Sequence, residues 1–343
     1  MGWLSRLRAS WGPGRGVRLN LALQGGGSHG AFTWGVLDRL LEEGRIGYEG
    51  LSGTSAGALN AAAFASGLLA GGRDEARASL ERLWRTVSEQ ALGGPLQATP
   101  LDYLLLGWNR DWSPGFVLVN SLSRMASPYQ LNPGGYNPLV RILEETVDFE
   151  RLRQDRRVRM FVAATRVRTG EARIFRNGEL DARAVAASAC LPLLFQAVEI
   201  DGEAYWDGGY TANPALWPLF LECRSRDLLL VQLTPPERPE LPTRVADIVD
   251  RANEIAFNAN LVRELELLGL LRGGRAAVSP ALPWRRHRLH AIDTGTVTEG
   301  MGRNSRINPD WHFLCHLRDE GRARADAWLQ AHGAALGRHS SMA

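Results

Sequence analysis

Hydrophobic and polar positions near the start of the chain alternate first with the period of a strand and then with that of a helix. Leu19, Leu21 and Leu23 share one face of a predicted strand. The apolar stripe that follows a glycine-rich loop has helical spacing and ends at Gly44, a residue type that commonly terminates helices. The same order of elements occurs a second time, which predicts a parallel α/β sheet. These elements are strands at 17–24 and 48–51 and helices at 31–43 and 56–69.

The remainder of the chain continues with strands and helices and contains two less regular segments. Residues 91–137 combine Pro and Gly with apolar pieces at 104–108 and 116–119, so we expect a mobile or capping segment there. The Pro-rich stretch at 235–242 is predicted to be a linker. The further predicted elements are helices at 73–90, 182–189, 245–271 and 310–336, a helix that begins at 138, strands at 158–165, 171–175, 228–233 and 288–293, and a hairpin with strands at 197–200 and 203–206.

The composition excludes several kinds of chemistry. The 343 residues include 40 basic and 37 acidic side chains, and every basic one is Arg. Without Lys the chain cannot be a P-loop protein, a Schiff-base enzyme or a kinase with the usual strand lysine. A net charge of +3 is too small to predict a nucleic acid partner. A chain that uses Arg in place of Lys is typical of a GC-rich bacterial genome, and no oligomeric state is predicted.

Cysteine and histidine spacing predicts neither disulfides nor a metal site. Cys190, Cys223 and Cys315 lie far apart, as expected of free thiols in a reducing compartment such as the cytoplasm. His312 and His316 have the spacing of one helical face but lack a third ligand nearby. We therefore predict no metal and no other cofactor.

The first sixteen residues leave two interpretations open. Residues 1–16 lack the apolar core and cleavage site of a secretory signal, and no stretch of the chain is apolar enough to span a membrane. Trp3, Leu4, Leu7 and Trp11 alternate with Arg, which fits either peripheral contact with a membrane surface or a poorly ordered tail.

The first chemical motif is the loop Gly25-Gly26-Gly27-Ser28-His29-Gly30, between a predicted strand and a predicted helix. Glycines expose backbone N–H groups, and the positive end of the helix favours an anion, either a phosphate or an oxyanion formed during a reaction. Gly25, Gly27 and Gly30 also match the fingerprint of dinucleotide-binding proteins. A tight turn with a purely structural role is the third interpretation.

The second motif, Gly53-Thr54-Ser55-Ala56-Gly57, has the G-x-S-x-G pattern of a nucleophile elbow, in which glycines leave room for a strained turn. The alternative is a helix start with Ser55 as N-cap. The third motif, Asp207-Gly208-Gly209, offers a general base at a strand end, or a turn residue that binds its own backbone.

Together the three motifs supply the parts of an acyl-transfer site. Ser55 is the candidate nucleophile, Asp207 the candidate base, and the amides of Gly25–Gly27 the candidate oxyanion hole. An α/β-hydrolase triad would add His287 or His290 in the order Ser, Asp, His. In that fold the elbow follows several strands, whereas here it follows the second, so a Ser–Asp dyad fits better.

These residues resemble the patatin-like phospholipase family over about residues 19–220. The three motifs occur in the family's order, and the stretch from Ala187-Ser188 through Leu191-Pro192 to Asn213 resembles the family's approach to its catalytic Asp. The resemblance implies a three-layer α/β/α fold with a mostly parallel central sheet. It also implies hydrolysis of lipid or other acyl esters by Ser55 and Asp207, with Gly25, Gly26 and Gly27 as oxyanion donors.

The same resemblance implies a domain division and one departure. We expect a tail over 1–16, a catalytic domain over 17–234 and a mainly helical C-terminal extension over 235–343, which packs on that domain. The family usually has Arg or Lys where this chain has His29, so a charge at that position would depend on pH. His29, Gly30, Gly53, Gly57, Gly208 and Gly209 are the residues expected to support the motifs.

Two other classes of function remain as alternatives. A dinucleotide-binding oxidoreductase would need an acidic residue at the end of the second strand, where the chain instead has Ser52-Gly53-Thr54-Ser55, with Glu49 earlier. A non-catalytic membrane-surface protein would retain the hydrolase scaffold without its activity.

Overall fold

The computed structural model describes residues 16–92, 94, 96, 102, 106–235, 237–238, 241–272 and 287–342. Three predicted features thus lie wholly or partly outside the described residues. They are the tail, of which only Gly16 is described, Leu104 and Leu105 of the first apolar piece, and parts of the predicted linker. No helix in these ranges is long and apolar enough to cross a membrane.

A single eight-stranded sheet forms the centre of the molecule. Its strands are β1 (Arg18–Leu23), β2 (Gly47–Thr54), β3 (Arg159–Arg166), β4 (Ala172–Arg176), β5 (Val198–Ile200), β6 (Glu203–Asp207), β7 (Asp227–Gln232) and β8 (Arg288–Asp293). The order β3-β2-β1-β7-β8 is parallel throughout, while β4 and β6 pair antiparallel with β3, and β5 pairs with β6. The predicted mostly parallel α/β sheet is confirmed.

Helices cover both faces of this sheet. They are α1 (Gly30–Glu43), α2 (Ala56–Gly71), α3 (Arg73–Gln90), α4 (Pro114–Met125), α5 (Pro128–Leu131), α6 (Pro138–Thr146), α7 (Phe149–Gln154), α8 (Ala182–Ser188), α9 (Trp217–Glu222), α10 (Val245–Arg272) and α11 (Trp311–His332).

Strand periodicity divides the apolar side chains between two cores. Leu19, Leu21 and Leu23 of β1 face a large core with α1, α2, α3 and α11. Ala22 lies on the other face, in a smaller core with α9 and α10. Because neighbouring side chains of a strand point to opposite faces, each strand contributes to both cores and the fold has three layers.

Two parts of the fold differ from the predictions. Strand β2 spans Gly47–Thr54 and so continues beyond Leu51, where the predicted strand ends. It pairs with β1 and β3 on its two sides, and a Cβ on Gly50 would lie 2.5 Å from the Cys223 sulfur, so small residues are needed for packing. The segment 91–137 contains the helices α4 and α5, and each begins with Pro directly after Ser. Ser followed by Pro is a helix start signal, which the many other Pro and Gly residues of the segment obscured.

The C-terminal region is integrated with the sheet and with α1. Strand β8 extends the sheet beside β7, and α11 crosses α1 at two glycines. A methyl group on Gly321 would overlap the carbonyl of Phe32, and one on Gly35 would overlap the carbonyl of Arg318. Since α1 begins where the glycine loop ends, this close crossing fixes the helix behind the loop.

We expect Gly321→Ala to lower the free energy of unfolding by about 1–3 kcal/mol, because the added methyl group forces α11 away from α1. Chemical denaturation measures the change. Gly178→Ala is the matched control, since a Cβ on this exposed glycine meets no atom within 4 Å. Equal effects of the two substitutions would contradict the tight crossing.

Candidate active site

Ser55 lies at the tight turn between β2 and α2. Its backbone has φ 54° and ψ −126°, a conformation that non-glycine residues rarely adopt. Its N–H donates to the Ser188 hydroxyl over 2.9 Å, and its own side chain makes no capping hydrogen bond to α2. Ser55 therefore occupies the N-cap position of α2, as the alternative interpretation predicts, but its hydroxyl does not cap the helix. Gly53 and Gly57 permit the turn, because a Cβ on Gly53 would lie 2.6 Å from the Gly57 carbonyl oxygen.

Asp207 ends β6 and precedes the turn Gly208–Tyr210. Its N–H donates to the Cys190 carbonyl over 2.8 Å, and its carbonyl accepts from the Thr165 hydroxyl over 2.8 Å, so the backbone is held on both sides. The side chain is 0% exposed. Carboxylate Oδ1 accepts from the Gly209 N–H over 2.7 Å, whereas Oδ2 has no hydrogen-bond partner among the described residues. The turn interpretation accounts for one oxygen only.

The Ser55 hydroxyl and the Asp207 carboxylate influence each other. Burial raises the pKa of Asp207 to about 7, while the Gly209 N–H and the Ser55 hydroxyl act in the opposite direction. The Ser55 hydroxyl is thus close enough to favour the charged carboxylate, although its geometry leaves Oδ2 without a formed hydrogen bond. Ser55 itself is 7% exposed. The fold brings together two residues that lie far apart in the sequence.

The glycine loop lies beside Ser55, but its three candidate donors are not equivalent. The Gly25 N–H donates to Asn213 Oδ1 over 2.7 Å, so it is already engaged. A Cβ on Gly25 would lie 2.7 Å from Cβ of Ser55, so the close approach itself requires glycine here. The N–H groups of Gly26 and Gly27 form no hydrogen bond within the described part of the chain. Two N–H donors without a partner among the described residues thus remain in the loop that approaches Ser55.

Asn213 is a functional candidate whose role the sequence did not reveal. Its side chain is 1% exposed, and its Nδ2 has no hydrogen-bond partner among the described residues. The neighbouring Ala212 carbonyl accepts from the Thr54 hydroxyl over 2.7 Å, which ties this segment to the end of β2. The motif resemblance included Asn213, but only the tertiary structure shows that its amide holds the glycine loop.

His29 is a buried neutral group. Burial and the charge of Arg306 lower the pKa of His29 to about 3. Its Nε2 lies 2.8 Å from the Ser305 hydroxyl. The expected pH-dependent charge at this position is therefore wrong, because the imidazole is neutral at physiological pH. The adjacent Gly30 begins α1, and its carbonyl accepts from the Asn60 side chain over 2.9 Å.

Two parts of the C-terminal region pack on the site. The turn that contains Arg306 packs on the glycine loop so closely that a methyl group on Gly27, which has φ 60°, would overlap the Arg306 carbonyl. Phe257 of α10 packs against Gly209 in the same way. This contribution was missed, since nothing in the local pattern of residues 235–343 shows which surface they cover.

Other candidate groups lie elsewhere. His290 contacts Asp227 at 3.1 Å, and the ring of His287 packs against Phe220 at 4.8 Å, so neither joins the dyad. Glu49 accepts the backbone N–H groups of Arg224 and Ser225 over 2.8 and 2.9 Å, away from the end of β2. The acidic residue that a dinucleotide site needs is therefore absent from that strand end.

His312 and His316, which have metal-ligand spacing in the sequence, belong to no metal site among the described residues. His316 stacks on Trp108, with ring centroids 5.1 Å apart. Within the ranges described above, no group of three or more His, Cys, Asp or Glu side chains is arranged to hold a metal ion.

Comparisons with known proteins agree with the motifs. The family model described as patatin-like phospholipase matches residues 21–220. No curated protein matches the chain. Among solved structures, VipD from Legionella pneumophila is similar, with 16% sequence identity and a TM-score of 0.45, over 93% of this chain and 67% of that one.

Replacing Asp207 by Asn should change how stability depends on pH. The folded protein binds the Asp207 proton more tightly than the unfolded chain does. The contribution of Asp207 to the free energy of unfolding is therefore greatest below the unfolded pKa of 3.8, and it decreases as the pH rises to about 7. Asp207→Asn cannot ionise and lacks this decline. Relative to wild type it should gain up to about 4 kcal/mol across that range, as measured by urea denaturation. Parallel pH profiles would contradict the raised pKa.

Proposed function

The chain belongs to the patatin-like phospholipase family, and from this premise we propose that it is a serine hydrolase that cleaves carboxylic ester bonds of lipids through an acyl-enzyme. The observation that carries the proposal is the unpaired Oδ2 of buried Asp207 beside a Ser55 hydroxyl that caps no helix. Ser55 is the proposed nucleophile and Asp207 the proposed proton acceptor. The mechanism uses no metal or other cofactor.

In the acylation step, Ser55 Oγ attacks the ester carbonyl carbon and its proton passes to Asp207. The carbonyl oxygen becomes an oxyanion, which the free N–H groups of Gly26 and Gly27 stabilise. The C–O bond then breaks, and the leaving alcohol takes the proton from Asp207. A carboxyl pKa of about 7 suits both steps, because the group must accept a proton and then release it near neutral pH.

In the deacylation step, Asp207 takes a proton from water as the water oxygen attacks the acyl carbon. The same two N–H groups stabilise the second oxyanion, and Ser55 recovers its proton as the fatty acid leaves. Asn213 is a positioning residue in this scheme, since it holds Gly25 beside Ser55. Neutral His29 adds no charge, so the loop amides and the positive end of α1 provide the stabilisation.

We also propose that the catalytic domain spans residues 17–234, with a tail over 1–16 and an extension over 235–343 that completes the site. The packing of Phe257 and Arg306 on the two glycine motifs supports this role for the extension. We further propose a cytoplasmic location, which the free cysteines of the described chain support.

Ser55→Ala should reduce turnover of p-nitrophenyl acyl esters to the uncatalysed background, because no other group forms the acyl-enzyme. Thermal unfolding should show that the variant remains folded. Ser121→Ala, which removes an exposed hydroxyl on α4, is the matched control and should keep full activity. Full activity of Ser55→Ala would overturn the mechanism, and an inactive wild type would favour the non-catalytic alternative.

The pH profile of kcat/KM should rise with an apparent pKa of about 7, since Asp207 must be ionised to accept the proton from Ser55. This pKa should change little with temperature, because carboxyl ionisation has an enthalpy near zero whereas imidazole ionisation does not. Profiles at several temperatures test the assignment. A pKa that falls steeply on heating would indicate a histidine base instead.

A further inference from the structure

Helix α10 has its apolar side in solvent. Five large aliphatic side chains form one face of the helix, each three, four or seven residues from another member, and we name this face the outer stripe. Their exposed fractions are 41–77%, well above those of core residues. Ala252, Ala256 and Ala259 lie between them on the same face. The outer stripe consists of Val245, Ile248, Val249, Ile255 and Val262.

The inner face of the same helix is polar and firmly attached. Glu254 is 1% exposed and pairs with Arg238 at 2.6 Å, Arg306 at 2.5 Å and Arg251 at 3.3 Å. Asn258 accepts from the Gln24 side chain over 2.7 Å. Turning the outer stripe inward would leave these buried groups unpaired, which costs far more than leaving aliphatic side chains in water. The exposure of the stripe is therefore a property of the fold.

The outer stripe lies over the candidate active site. Phe257, on the inner side of α10, packs against Gly209, and its ring centroid is 4.8 Å from that of Tyr210. The stripe is on the opposite side of this helix, about 10 Å away across its diameter. A surface that binds the stripe is thereby brought next to the residues that follow Asp207.

The charges around the stripe suit an anionic surface. Arg244 and Arg263 are exposed and have no ion pair within the described residues. Asp250 and Glu264 point towards the protein, where Asp250 pairs with Arg238 and Glu264 accepts backbone N–H groups. Glu266 is an exposed acid near the far end of the helix. An apolar centre with flanking arginines is typical of helices that lie in the interface of anionic lipid.

We propose that the outer stripe is a lipid-docking surface. Ile248, Val249 and Ile255 enter the boundary between headgroups and acyl chains, while Arg244 and Arg263 contact phosphate groups. The choice of lipid as the occupant rests on the proposed function, because an enzyme that hydrolyses lipid esters must reach them in an aggregated surface. The exposure of the stripe does not depend on that function.

Vesicle flotation of the full chain tests the proposal. All proteins carry Ser55→Ala, so that hydrolysis does not change the vesicles. We expect the parent protein, which carries Ser55→Ala alone, to float with vesicles of phosphatidylcholine and phosphatidylglycerol. The double substitution Ile248→Gln and Ile255→Gln should weaken binding to these vesicles at least about tenfold. Leu92→Gln with Leu221→Gln is the matched control, since these leucines are 63% and 54% exposed outside α10, and it should bind like the parent. Melting temperatures verify folding.

A second pair separates the two contributions. Arg244→Gln with Arg263→Gln should weaken binding to the anionic vesicles and have little effect on vesicles of phosphatidylcholine alone. Equal flotation of the parent and the stripe variant would overturn the proposal. So would a dimer in gel filtration that the stripe substitutions dissociate, without flotation of the parent, since the occupant would then be a second copy of the chain. Flotation is measured without turnover, so a failure of the proposed catalysis leaves this test intact.

Discussion

The carboxyl group of Asp207 is buried, with one oxygen that no group in the described part of the chain pairs, and the neighbouring structure depends on how that carboxyl group is held. An unsatisfied carboxylate in the interior is destabilising, and the protein limits this through the Gly209 N–H and a pKa near 7. The raised pKa also prepares the Asp207 carboxyl group to exchange a proton with Ser55. The backbone N–H of Asp207 donates to the Cys190 carbonyl and its backbone carbonyl accepts from the Thr165 hydroxyl, and these two bonds keep the residue in place.

Close packing of glycine against backbone explains why the three motifs occur together. Gly25 approaches Ser55, Gly57 approaches the end of β1, and Gly208 approaches β3, so none of these three positions has room for a side chain. The C-terminal region packs on the glycine loop through Arg306 and on the turn after Asp207 through α10. Buried Glu254 orients α10, which leaves the helix with its polar side on the site and its apolar side in solvent.

Several features could be predicted because they depend on local spacing. The alternation in β1, the elbow around Ser55 and the Asp207 turn each have a short-range physical cause. Strand β2 was predicted too short, since its pairing on both sides outweighs the low strand propensity of glycine. Helix α4 was hidden by surrounding Pro and Gly. Ser55 is at the N-cap position of α2 but does not cap the helix through its side chain, because capping depends on backbone angles that composition does not specify.

The sequence by itself determined the α/β architecture and the residue types of the candidate site. Strand and helix periods and glycine turns depend only on residues that are close together in the chain. Tertiary structure alone decided the rest. It engages the Gly25 N–H with Asn213, keeps His29 neutral beneath Arg306, and turns the apolar side of α10 outward. Each of these results depends on contacts between distant segments, whose burial and charge no local pattern can specify.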